Sequence, residues 1–149
     1  ASAPFTEVAR DCVDAVLKAP DAAGVDVRLE ASEPFRVACN PGVLTSILAN
    51  LLRNAVKHMG DAPVREVRVH TLMRDQALRL SVIDTGPGVP PGLEEKIFEP
   101  FVRARDDTPG VGLGLATVKR LANAYGGAAG YQRVGDRSVF WVNLPIART

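Results

Sequence analysis

Apolar positions recur along this chain with two periods, and the switches between them predict a succession of helices and strands. From Phe5 to Ala19, Val8, Cys12, Ala15 and Val16 keep helical spacing with Leu17 beside them, and Pro20 ends the run. Val25, Val27 and Leu29 then alternate with Asp26, Arg28 and Glu30 as a half-buried strand does, and Phe35-Arg36-Val37 reads as its short partner in a hairpin around Glu33-Pro34. The longest periodic segment, Pro41 to Met59, carries Leu44, Leu48, Leu51 and Ala55 on one stripe, broadened by Ile47 and Leu52. Val67-Val69-Thr71 and Leu78-Leu80-Val82 alternate with polar neighbours and predict an antiparallel pair joined near Arg74-Asp75.

A short helix is expected over Leu93 to Phe98, stopped by Glu99-Pro100-Phe101, and a charged, aperiodic stretch from Val102 to Pro109 reads as a mobile loop, with disorder expected over Arg103 to Pro109 in the absence of a ligand. Leu113 to Tyr125 returns to helical spacing and ends in Gly126-Gly127, a glycine cap. Tyr131-Arg133 and Val139-Trp141-Asn143-Pro145 predict a last hairpin turning at Gly135-Asp136. This order implies helices packed on one face of a mixed sheet.

Composition narrows the class without changing that picture. With 149 residues, 46% hydrophobic and 23% charged, and a net charge of +1, the chain is one domain's worth of ordinary globular sequence, with no basic footprint of a nucleic-acid binder. No apolar run approaches the roughly 18 to 20 residues of a membrane span. Cys12 and Cys39 stand far apart in no metal-binding or redox spacing and read as core fillers in a reducing compartment. The opening Ala1-Ser2-Ala3-Pro4 has neither an initiating Met nor a signal-peptide pattern, so a fragment of a longer protein is expected.

Three stretches carry candidate chemistry. On the long helix, Asn50, Asn54, Lys57 and His58 fall at i, i+4, i+7 and i+8, so four polar groups share a face. The strand ending at Ile83 delivers Asp84-Thr85-Gly86-Pro87-Gly88-Val89-Pro90, a carboxylate in a rigid turn whose backbone is open to close approach. Gly110-Val111-Gly112-Leu113-Gly114-Leu115 places glycines at alternate positions before a helix, whose unpaired first-turn N–H groups favour an anion. No P-loop lysine follows Gly86 to Gly92, and the strict alternation from Gly110 does not complete the dinucleotide fingerprint. His70 lies on the polar side of a strand and carries no assigned role.

Together these segments resemble the catalytic and ATP-binding domain of bacterial two-component sensor histidine kinases, part of the wider group shared with gyrase, Hsp90 and MutL. Asn50-Leu51-Leu52-Arg53-Asn54-Ala55-Val56-Lys57-His58 matches the N-box, and Asp84-Thr85-Gly86-Pro87-Gly88 the first glycine box. Ile97-Phe98-Glu99-Pro100-Phe101 stands as the F-box, structural before anything else, and Gly110 to Leu115 as the second glycine box. Val111 departs from the usual Thr or Ser, and the loop from Arg103 to Pro109 is short. The resemblance covers nearly the whole chain as one domain, residues 1–149, and implies the Bergerat ATP-binding fold: a two-layer α/β (α+β) sandwich with a mixed, mostly antiparallel five-stranded sheet covered on one face by three helices.

It also implies a division of labour. An ionised Asp84 accepts from the adenine amino group, which guanine replaces by a carbonyl, while Gly86 and Gly88 pass beside the purine and Val89 and Ile97 pack near it. Mg²⁺ suits the carbonyl oxygen of Asn54, joined by Asn50. Lys57, His58 and Arg103 reach toward phosphate oxygens, and the N–H groups around Gly110, Val111, Gly112, Leu113, Gly114 and Leu115 hold the terminal phosphates. Where ATPase branches carry a water-activating Glu this chain has Asn50, which is no general base and argues against rapid hydrolysis.

The resemblance further implies partners: a dimerisation domain bearing the phosphoacceptor His, then a response regulator receiver, with no nucleic acid and no direct membrane contact by this domain. Neither His58 nor His70 is followed by Glu or Asp, so the acceptor is absent and no self-phosphorylation is expected. The implied location is the cytoplasmic part of a membrane-anchored sensor. The alternative reading is a non-catalytic ATP-binding module that uses the nucleotide to change an interaction surface.

Overall fold

The structure, a computed structural model, describes residues 1–30, 34–100 and 114–147. Its first elements are β1 (Ala3–Pro4), α1 (Phe5–Leu17), β2 (Asp26–Glu30), β3 (Arg36–Val37) and α2 (Pro41–Lys57). They are followed by β4 (Glu66–Arg74), β5 (Ala77–Asp84), a 3₁₀ turn at Lys96–Phe98, α3 (Gly114–Ala124), β6 (Ala128–Val134) and β7 (Arg137–Pro145). Among the described residues five strands form one sheet in the order β2-β4-β5-β7-β6, antiparallel except for the parallel pair β2 and β4. The helices cover one face, as the alternation implies, and the molecule is a two-layer α/β sandwich.

Register explains which face is covered. Val67 and Val69 on β4, Leu78, Leu80 and Val82 on β5, and Phe140, Val142 and Leu144 on β7 are all buried, and strict period-two alternation sends them to the same side. Against them α2 lays Leu44, Ile47, Leu48, Leu51, Leu52, Ala55 and Val56, a stripe of about the width a core-facing helix needs. Asn40 caps α2, its side chain accepting from the Gly42 N–H at 2.8 Å, with Pro41 preset in the first turn. The α3 helix ends in a Schellman cap: Gly126 is left-handed at φ +81°, its N–H bonds to Asn123 O, and the Gly127 N–H reaches Ala122 O.

The expected hairpin around Glu33-Pro34 does not form. β2 pairs parallel with β4, which seats the half-buried Val27 and Leu29 beside Val67 and Val69 at the edge of the core, while β3 pairs antiparallel with β1. Phe35 explains the divergence, because its ring stacks on Phe5 at 5.0 Å and its carbonyl accepts the Phe5 N–H. Three local expectations also change. Leu17 and Ala15 face solvent, Leu17 at 46% exposure, and α1 is anchored by Phe5, Val8, Ala9, Cys12 and Val16. The expected helix from Leu93 is a turn ending in the 3₁₀ segment, with Ile97 and Phe98 buried. On β7 the core residues are Phe140, Val142 and Leu144 rather than the alternate set with Trp141. That indole lies on the other face against Gly130, with the Arg79 guanidinium 4.2 Å from the ring.

Candidate nucleotide-binding site

The C-terminal end of β5 and the C-terminal end of α2 meet, and the candidate site is built where they do. Asp84 is the last residue of β5 and only 4% exposed. One carboxylate oxygen accepts the Gly86 N–H at 2.9 Å, a local turn that fixes the side chain. Burial pushes its carboxyl up from 3.8 to about 6, against the Gly86 N–H and the Arg133 guanidinium, which both favour the ionised form. The carboxylate's second oxygen offers further acceptor capacity, which a ligand's N–H could fill.

Both glycines of the turn are required by what surrounds it. A Cβ on Gly86 would sit 2.7 Å from the His58 carbonyl oxygen and 3.0 Å from the Asp84 carboxylate, so the α2 terminus and the turn are in van der Waals contact. Gly88 is left-handed at φ +84°, and a Cβ there would meet Arg133 Nη1 at 2.9 Å and the Tyr131 hydroxyl at 3.0 Å. On the opposite side Thr85 ties the turn to β4: its hydroxyl accepts the Glu66 N–H at 3.0 Å and donates to Val64 O.

A second layer, not anticipated from the sequence, braces the turn from β6 and β7. Arg133 Nη1 donates to Gly86 O and to Ser138 Oγ, both at 2.8 Å. The Tyr131 hydroxyl accepts the Val89 N–H at 3.1 Å, and its ring tilts against Phe140. Ser138 is 1% exposed and pairs across the ladder with Asp84. Register puts Tyr131 and Ser138 on the sheet face of Phe140, Tyr131 half-buried and Ser138 buried, a signal in the sequence for those two, whereas Arg133 is exposed near the end of β6.

The polar face of α2 separates into distinct situations. Asn50 is half-buried and already committed on both ends of its amide: Nδ2 donates to Ser46 O at 2.8 Å, and Oδ1 accepts from Arg53 at 2.8 Å. Its oxygen also stands beside Gly114, where a Cβ would lie 3.1 Å away, so the start of α3 abuts this helix face. Asn54 is half-buried one turn on, Lys57 is exposed, and His58 is the half-buried residue that ends the helix. The neutral carbonyl of Asn54 fits a hard cation; that of Asn50, holding a guanidinium, fits one less well.

Val89 is half-buried beside the turn, Ile97 is 3% exposed in the core, and Phe98 packs at 6.5 Å from Phe140, the structural role expected of that box. Gly114 opens α3 and Leu115 packs against the core. Arg103, Gly110, Val111, Gly112 and Leu113, with the loop expected from Val102 to Pro109 and Phe101, lie outside the described residues.

Comparison with known proteins agrees with this architecture. The model of the family "Histidine kinase-, DNA gyrase B-, and HSP90-like ATPase" matches residues 39–148. The sensor histidine kinase AruS of Pseudomonas aeruginosa is 46% identical over 112 residues, covering 70% of this chain and 11% of that protein. The sensor protein KdpD of Escherichia coli is 37% identical over 123 residues, 80% of this chain and 14% of its own length. The chain thus spans between a tenth and a seventh of those two relatives. Among solved structures, a mycobacterial sensor histidine kinase, MprB, superposes with a TM-score of 0.85 at 26% identity over the whole of both chains. Full-length ShkA in complex with AMPPNP gives 0.82 at 35% identity, covering all of this chain and 32% of that one. The chain belongs to the histidine kinase-, DNA gyrase B- and HSP90-like ATPase family, as a catalytic and ATP-binding domain of the sensor histidine kinase type.

Proposed function

We propose that this domain binds ATP with Mg²⁺ and donates the γ-phosphoryl group to a histidine on the dimerisation domain of its sensor kinase, from which a response regulator receives it on an aspartate. The observation that carries the reading is Asp84: a buried carboxylate with one oxygen fixed by the Gly86 N–H, at the start of a turn pressed against the end of α2. In its ionised form it accepts the amino hydrogen of adenine, and a purine carbonyl in its place would leave two acceptors opposed. The AMPPNP-bound ShkA structure supports an adenine nucleotide as the ligand class.

Asn54 would hold the magnesium ion, which screens and orients the phosphates when bound. Lys57 and His58 stand at the end of the same helix and would supply donors to phosphate oxygens. Asn50 offers no base for water, since an amide does not take up a proton at neutral pH and its oxygen is engaged by Arg53. Phosphoryl transfer to an incoming side chain is therefore favoured over hydrolysis.

The test is a mixing experiment. The chain, ATP and Mg²⁺ are combined with a separate helical hairpin carrying the acceptor histidine, and acid-labile phosphohistidine is measured. A kinase domain labels the hairpin, and Asp84→Asn abolishes the label. Tight ATP binding without any transfer would favour a non-catalytic module, and steady turnover by the chain alone would favour an ATPase.

A further inference from the structure

We infer that Arg133 is a positioning residue that locks the Asp84-to-Gly88 turn in its purine-accepting form; its place in nucleotide recognition rests on the function proposed above. Its guanidinium sits behind the turn, donating through Nη1 to the Gly86 carbonyl and to Ser138 Oγ. The peptide groups on the two sides of Gly86 thereby have complementary tasks. Gly86 N–H points at Asp84, and Gly86 C=O is held by Arg133, so the donor that fixes the carboxylate is itself fixed from the far side.

The fit is close. The missing Cβ of Gly88 leaves the space that Arg133 Nη1, the Tyr131 hydroxyl and Ser138 Oγ occupy at 2.9, 3.0 and 3.2 Å. Tyr131 then takes the Val89 N–H, so both ends of the Gly86-to-Val89 segment are gripped by β6. Other contacts hold other sides of the turn: Thr85 binds it to β4, and the His58 carbonyl after α2 lies against Gly86.

Charge adds a second effect. The groups standing around Asp84 are Arg133 and Tyr131 on β6, Ser138 on β7, His58 at the end of α2, and Glu66 on β4, whose side chain points by register to the opposite sheet face. Of these, Arg133 acts on the carboxyl through space and favours its ionised form, an effect smaller than that of the Gly86 N–H. A carboxylic acid would present a hydroxyl donor where adenine also presents a donor, so the state that Arg133 favours is the one that recognises adenine. Arg133 thus couples the shape of the turn to the protonation state of its acceptor.

The experiment compares Arg133→Met and Arg133→Lys with wild type in the 149-residue chain. First, the Asp84 carboxyl is titrated by carbon-13 NMR without nucleotide: its midpoint rises in Arg133→Met and stays near that of wild type in Arg133→Lys. Second, ADP affinity is measured near pH 6 and near pH 8. Wild type weakens about twofold at the lower pH, because a carboxyl titrating near 6 is then half protonated. Arg133→Met weakens at least about fourfold over the same interval and Arg133→Lys stays close to wild type. The nucleotide's own phosphate titration is common to all variants and cancels.

A brace with no influence on the carboxylate would raise the dissociation constant equally at both pH values and leave the NMR midpoint unmoved, and that result overturns the inference. Arg133→Lys behaving like Arg133→Met overturns it too. An NMR midpoint that moves as expected in a chain that binds no ADP contradicts the ATP reading instead, and leaves the role of Arg133 toward Asp84 standing.

Discussion

Asp84 is held in a state that the fold alone would not choose. Its carboxyl is raised from 3.8 to about 6, so between those values the folded chain holds a proton that the unfolded chain has released. Stability from this group is therefore largest at low pH and falls as pH rises through about 6, by on the order of 2 to 3 kcal/mol. Asp84→Asn removes that loss: without nucleotide the variant is expected to be more stable than wild type near pH 7.5, with the gap closing toward pH 4, in chemical denaturation at each pH. The same substitution swaps an acceptor for a donor opposite adenine and removes binding, a trade of stability for recognition. Gly86→Ala acts oppositely, since its methyl group would strike the His58 carbonyl; a cost of about 1 to 3 kcal/mol is expected in the same denaturation series.

At this scale the sequence disclosed half of the site. Asp84 was legible through its company, since a carboxylate before a Gly-Pro-Gly turn is by itself an ordinary loop cap, and Asn54 because two amides one turn apart are less common on a plain solvent face. Arg133 was hidden, since 47 positions separate it from the Gly86 carbonyl that it holds and nothing local marks it. Ser138 was hidden for a different reason: β7 carries apolar side chains on both faces, Val139 and Trp141 outward and Phe140, Val142 and Leu144 inward. Period two then reveals a strand without revealing which phase is the core.

Among the elements, α2 joins core to chemistry. One stripe packs under the sheet while the adjacent face presents Asn54, Lys57 and His58, so its stability and its position over the turn are the same property. Leu48→Ala, at a fully buried position, should cost about 2 to 5 kcal/mol in denaturant unfolding. Asn54→Ala should leave the fold intact and selectively reduce the gain in ATP affinity on adding Mg²⁺, read by titration with and without the ion. The junction of α3 with β6 is less tolerant: a Cβ on Gly127 would lie 1.7 Å from Asn143 O, so Gly127→Ala must displace β6 or β7 and lower the melting temperature. Elements with local causes were legible, such as the α2 stripe with its Asn40-Pro41 start and the Gly126-Gly127 cap. The fate of β2 and β3 was not, because two short strands near each other suggest a hairpin and only the Phe5–Phe35 stack and the β4 edge decide otherwise.

For the whole molecule, the parallel pairing of β2 with β4 matters because the connection between them contains α2. That crossover lays the helix across the sheet and brings its C-terminus to the end of β5, where Asp84 waits. The candidate site thus draws together residues that the chain keeps far apart. The most direct measurement is calorimetric titration of this chain with ATP and with GTP, each with Mg²⁺, alongside Asp84→Asn. The account predicts a saturable, magnesium-enhanced signal for ATP, weaker by at least about a hundredfold for GTP and for the variant. Equal affinity for the two nucleotides, or ATP binding untouched by Asp84→Asn, would contradict it.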